Sequence, residues 1–269
     1  MPGLVGVLSV LGMVVVAPLG LLLLATPGVR RYAPIWPFPA LMAGWGLLQP
    51  RGENVAVAMV MPYAIACATI AVLAAVRALR ALLARRITTN EMAAAFAGLS
   101  LTVAATSLVA ERAGKEALGF PLAIHGLTVA HFHFAAFAAV IVAALTAQAA
   151  PASRVASVAA WAVPLGTAVT FVGFFTGEYV ELAGASILTA GLLATSHVLF
   201  RLRPNVLLLV ASLALPLTMA LAMWWAAGEA LGFAHPTLEE MARTHGLANA
   251  LGVGLCGLAG WHLARAKPL

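Results

Sequence analysis

The groups in this chain that can do chemistry are few, and most lie inside apolar runs. The stretch GFPLAIHGLTVAHFHFAAF carries His125, His131 and His133; EYVELAGAS carries Glu178 and Glu181; MARTHGLANALG carries His245 and Asn249. A carboxyl and an imidazole that share a dry cavity form an acid–base pair. Such a pair can isomerise, cyclise or hydrate a bound molecule, and it can equally relay protons in a carrier.

Helix geometry limits how these groups combine. At about 100° per residue, His131 and His133 point about 200° apart, and His125 and His133 differ by about 12 Å along the axis. The three histidines therefore cannot share one metal ion on a regular helix, and ligands from other helices would be needed. The plainer reading is a core histidine hydrogen-bonded to a neighbouring helix. His245 and Asn249, four apart, share a face, so Asn249 can fix the imidazole tautomer or help hold a substrate atom. Glu178 and Glu181 are also neighbours on one face. Glu181 lies nearly one turn deeper and is the better candidate for a carboxyl shielded from water; the alternative is a second interfacial charge. Arg112, in VAERAGKEALGF, could clamp a carboxylate or phosphate, or be an ordinary interfacial charge. His197, His262 and His235 read as interfacial or solvated.

The elements that must position these groups follow from composition. Of 269 residues, 63% are hydrophobic and 9% charged, and the mean hydropathy is +1.01. Soluble domains carry about a quarter charged residues, so this chain cannot cover a water-facing surface and lipid must be its solvent. The expected fold is all-α, a polytopic transmembrane bundle forming a single helical domain over residues 1–269. Apolar windows place nine spans near 3–25, 35–49, 54–76, 91–110, 120–148, 156–176, 178–200, 205–231 and 239–263. The second is short and meets Pro34, Pro37 and Pro39, which interrupt helical hydrogen bonding, so it could be re-entrant. Gly177 marks a tight break between the sixth and seventh. The N-terminal run lacks a basic region and reads as a span rather than a cleaved leader.

The net charge of +6 and pI near 10.2 do not point to nucleic acid, because arginines gathered in short cytoplasmic loops give the same balance. With nine spans, one side receives Arg30, Arg31, Arg77, Arg80, Arg85, Arg86, Arg154, Arg201, Arg203, Arg265 and Lys267, and the other Arg51, Arg112, Lys115 and Arg243. The first side is then cytoplasmic, with the N-terminus outside and the C-terminus inside. All the acids are glutamates, and all but Glu91 fall near the outer ends of spans. Cys67 and Cys256 sit singly in apolar runs and read as small core residues.

Two resemblances add to this. The string VAHFHFAAF resembles the helix of haem-copper oxidases that carries AHFHY, which implies a haem or metal as an alternative role for His131 and His133. The arrangement ERAGKEALGFPLAIHGLTVAHFHFAAF, GEYVELAGA and MARTHGLANALG resembles the YndJ-like membrane family over most of the chain. Its motifs here are LTxxHFHF (Leu127 to Phe134) and HGxxNAxG (His245 to Gly252). That resemblance implies a multipass membrane fold and no particular reaction.

The expectation is an integral membrane enzyme acting on a lipophilic terpenoid, polyketide or lipid, with membrane lipid as its surroundings. His131, His133, Glu181 and His245 would handle protons. His125, Asn249, Arg112 and Glu178 would bind substrate, with no metal or other cofactor. The alternatives are a proton-coupled transporter, a haem or metal protein, and a structural membrane protein whose histidines only pack.

Overall fold

The computed structural model describes residues 3–24 and 26–266. It is 84% helical, with no strand among the described residues, as the hydropathy requires: in lipid a backbone must satisfy its own hydrogen bonds, and a helix does so within one segment. Eight helices are long and apolar enough to cross a bilayer: Gly3–Leu23 (α1), Asn54–Leu83 (α3), Thr89–Ala113 (α4), Leu122–Ala149 (α5), Arg154–Thr176 (α6), Glu178–Leu202 (α7), Val206–Leu231 (α8) and Leu238–Arg265 (α9). The shorter α2 is Pro37–Gly46.

Local chemistry sets the ends. Thr88 and Glu91 form a capping box that starts α4, and Thr237 and Glu240 form another at α9. Ser153 and Asn205 accept from the backbone N–H of the third residue of α6 and α8, Ala156 and Leu208. Each of these side chains satisfies a donor that the first helical turn leaves unpaired.

The second expected span departs from a regular helix. The helix before it ends with Leu24 extended; the chain then forms the single turn Pro27–Arg30, loops, and enters the 10-residue α2. It nevertheless runs antiparallel along α3. Thr26 and Gly28 share a cleft with Arg77 and Arg80 near the end of α3. Trp36 meets Tyr63 edge-on, ring centroids 5.3 Å apart. Gly46 packs so closely on Met59 and Val60 that a Cβ would overlap them. The carbonyl of Gln49 accepts from Arg112, at the end where α3 begins. Pro37 and Pro39 sit in the first turn of α2, where proline is tolerated, and the segment follows α3 from one end to the other.

Contacts divide the chain into two compact units, which meet in sequence after Ala138, within α5. In the first, α3 packs on α4, α2 on α3, and the first part of α5 on α4 and α1. Its core includes Trp36, Tyr63, Leu101, Leu108 and Phe137.

In the second unit, α6 and α7 form the most intimate pair. Gly177 joins them with φ +133°, a conformation open to glycine. The facing pairs are Gly173 with Glu181, Thr170 with Gly184, Gly166 with Leu188, and Val163 with Gly191. At Gly166, Gly173 and Gly184 an added Cβ would collide with the partner's backbone. Small residues seven apart on both helices let the backbones touch, and in lipid such packing, rather than hydrophobicity, holds helices together. The α8 helix packs on α7, and α9 on α8.

Candidate functional site

His133 is fully buried, and both of its ring nitrogens are engaged. Nδ1 lies 2.6 Å from the Val129 carbonyl and Nε2 2.5 Å from the Tyr63 hydroxyl. A carbonyl only accepts, so Nδ1 carries the proton and Nε2 accepts from Tyr63. Four elements meet here. Gly12 of α1 is pressed against the imidazole, so that a Cβ would overlap the ring. Trp36, from the turn before α2, packs on Tyr63 of α3 and donates its Nε1 to the Met13 carbonyl at 2.8 Å. The α1 backbone is π-helical from Gly12 to Val16, and α5 from Phe132 to Ala138. Such wide turns accommodate a side chain wedged between helices.

His131 does not join it. Its side chain is exposed while His133 is buried, the divergence that helical rotation requires. His125 turns back to the loop before α5, where Nε2 is 3.1 Å from the Ala117 carbonyl.

Arg112 is neither an interfacial charge nor an open clamp. It is buried against Glu111, also buried, with Nη2 to Oε1 at 2.7 Å and Nε to Oε2 at 2.5 Å. Its Nη1 donates to the Gln49 carbonyl at 3.0 Å. Arg51 completes the cluster by donating to Glu111 Oε1 at 2.5 Å. The fork expected to hold substrate thus ties the chain before α3 to the end of α4.

The second unit holds the remaining groups. His245 is buried, with Nδ1 donating to the Thr218 carbonyl at 2.8 Å and Nε2 facing Asn249 Nδ2 at 3.2 Å. The Thr218 carbonyl, which only accepts, sets the proton on Nδ1, and Asn249 faces the other nitrogen even though π-helical stretches occupy Ala242–Gly246 and Asn249–Leu255.

Glu181 is half-buried at the start of α7. Its carboxyl makes no hydrogen bond or ion pair among the described residues. Its charged neighbours are Glu229 and Glu178, and Glu178 is exposed. Glu229 pairs with His235 Nε2 at 3.1 Å. His235, expected to be solvated, is instead partly enclosed: Trp225 meets it edge-on at 6.3 Å, and Gly228 leaves room for the ring.

The sequence reading missed Tyr63, Thr218, the Glu229–His235 pair and the glycine pairs of α6 and α7. Tyr63 had one usable signal. It lies well inside an apolar span, and a tyrosine hydroxyl buried there needs a partner. Gly166 and Gly173, and Gly184 and Gly191, were legible as two seven-residue spacings flanking Gly177. Among the described residues no group of three or more His, Cys, Asp or Glu side chains is placed to hold a metal ion.

Eight apolar helices of membrane-spanning length and no strands among the described residues define a polytopic α-helical membrane protein. The chain matches the model for the YndJ-like protein family over residues 7–253, and it belongs to that family. No curated protein and no solved structure matches it.

Proposed function

We propose that the protein is an integral membrane enzyme acting on a lipophilic substrate, such as a terpenoid, polyketide or other lipid, by acid–base chemistry of the isomerisation, cyclisation or hydration type. The observation that carries this reading is Glu181, a half-buried carboxyl with no hydrogen-bond or ion-pair partner among the described residues, near the Glu229–His235 pair. A carboxyl left unpaired at membrane depth is costly and is usually kept for function. Glu181 is then the principal proton-handling group, with the exposed Glu178 beside it as a substrate-binding group. His131, an exposed imidazole, is the second candidate for proton transfer. His133 and His245, each held at both nitrogens, act as fixed dipoles that orient groups around them, with Asn249 locking His245. His125 and Arg112 brace the ends of α5 and α4. No metal is required, and no nucleic acid is involved.

The chain is read as nine traverses of the cell membrane, the second made by the broken segment along α3. That path puts Arg30 and Arg31 at the same end as Arg77 and Arg80. The asymmetry of basic residues is thereby kept, with the N-terminus outside and the C-terminus cytoplasmic. A second reading, a proton-coupled transporter, draws on the π-helical stretches in α1, α5 and α9, since irregular spanning helices are common in carriers.

The test compares lipid extracts of cells with the wild-type gene, without it, and with Glu181→Gln. A lipid species whose conversion needs Glu181 supports the enzyme. Unchanged lipids with proton-driven uptake into proteoliposomes that depends on Glu181 would select the transporter. Neither effect would leave Glu181 as a structural carboxyl and overturn both.

A further inference from the structure

We propose that the cleft at the arginine-rich end of the first unit binds the phosphate head of an anionic phospholipid. The cleft has a volume of about 450 Å³ and is lined by Thr26, Gly28, Leu73, Val76, Arg77 and Arg80. It is the notch where the single turn Pro27–Arg30 packs beside the last turns of α3. Arg77 and Arg80 are one helical turn apart and line the same notch. Arg77 reaches Glu91 at 3.5 Å, a distance that leaves the rest of its guanidinium available. Glu91 is itself held by the Thr88 capping box, so it neutralises part of one arginine. Arg30 and Arg31 follow the notch in sequence, Arg85 and Arg86 follow α3, and all four are exposed. The field at this end is therefore strongly positive.

The walls decide between a lipid and a free anion. Leu73 and Val76 are 38% and 43% exposed and continue into Val72 at 61% and Leu79 at 55%. An apolar surface of that extent beside two arginines suits a phosphate that carries acyl chains. A basic pocket between spanning helices is a recurrent form of lipid head-group site. Inorganic phosphate would use the arginines and leave the apolar wall without a role.

The experiment is native mass spectrometry of the detergent-purified full chain with phosphatidylglycerol, with phosphatidylcholine, and with phosphatidylglycerol plus millimolar inorganic phosphate. Wild type is expected to retain phosphatidylglycerol over phosphatidylcholine. Arg77→Ala/Arg80→Ala should lose about tenfold of that retention. Arg86→Ala/Arg201→Ala, which removes the same charge outside the cleft, should keep it. Arg80→Gln leaves the Arg77–Glu91 pair intact and should still lose part of the retention, which covers the case of a double variant that does not fold. Equal retention of the two lipids, or equal loss in both double variants, would overturn the site. Displacement of the lipid by inorganic phosphate would show a free-anion site instead.

Discussion

The Tyr63 hydroxyl donates to His133 Nε2 across 2.5 Å, while the other ring nitrogen donates to the carbonyl of Val129 one turn back on α5. This joins α3 to α5 at a point where both side chains are fully buried. The imidazole is then neutral, proton on Nδ1, and its only lone pair is taken. A haem or metal that used Nε2 would have to displace Tyr63 first.

Tyr63→Phe keeps the ring packing with Trp36 and removes only the donor. Hydrogen bonds between spanning helices contribute about 0.6 kcal/mol on average, because the unfolded chain in the membrane also finds partners. The expected loss is of that size, read as a lowered melting temperature in detergent. His133→Ala should cost more, about 2–4 kcal/mol, since it also leaves a cavity bounded by Gly12. Equal effects would mean that the ring contributes through the hydrogen bond alone.

The tautomers can be seen directly. His133 and His245 both face carbonyls with Nδ1, so ¹⁵N spectra of histidine-labelled protein should show both rings neutral and protonated at Nδ1. Asn249→Leu removes the partner at Nε2 of His245 and should shift that resonance alone. A charged imidazolium at either position near neutral pH would contradict the arrangement.

The Glu111 carboxylate separates a buried from an exposed partner. Arg112→Leu takes away the buried partner of the carboxylate, leaves it to the half-exposed Arg51, and should cost about 3–5 kcal/mol, whereas Glu111→Leu/Arg112→Leu, which removes both buried charges and frees only the solvent-reached Arg51, should cost less. Arg51 is 40% exposed at its side chain, so Arg51→Ala should cost no more than about 1 kcal/mol. Thermal unfolding of the three variants checks the order. A milder Arg112→Leu than Arg51→Ala would reverse the assignment.

The α6–α7 pair should tolerate almost nothing at its glycines. Gly184→Val would drive a branched side chain into the backbone of Thr170, and Gly166→Leu would do the same at Leu188. Over-packing costs about 1–3 kcal/mol where side chains can yield; here the obstacle is backbone, so the yield of monodisperse protein on size exclusion should collapse. Gly3→Ala, with no atom within 4 Å of the added carbon, should leave the yield unchanged.

What the sequence by itself determined is the class and the helices. An apolar fraction this high leaves lipid as the only compatible solvent, and backbone hydrogen bonding in lipid leaves the helix as the element. The spacing of His245 and Asn249 was sufficient to pair them, because residues four apart on a helix are neighbours whatever surrounds them. The separation of His131 from His133 was readable for the same reason. Prolines 34, 37 and 39 marked 35–49 as the weakest of the expected spans, and the helix there is the 10-residue α2, which begins at Pro37.

The tertiary structure alone decided the partners across helices. That Tyr63 meets His133, that Thr218 receives His245, and that Arg112 is spent on Glu111 depend on rotations and crossing points that no local spacing encodes. The same holds for the path of residues 26–49. Local rules said only that a regular helix fails there, while packing against α3 decided that the segment still runs the length of its neighbour.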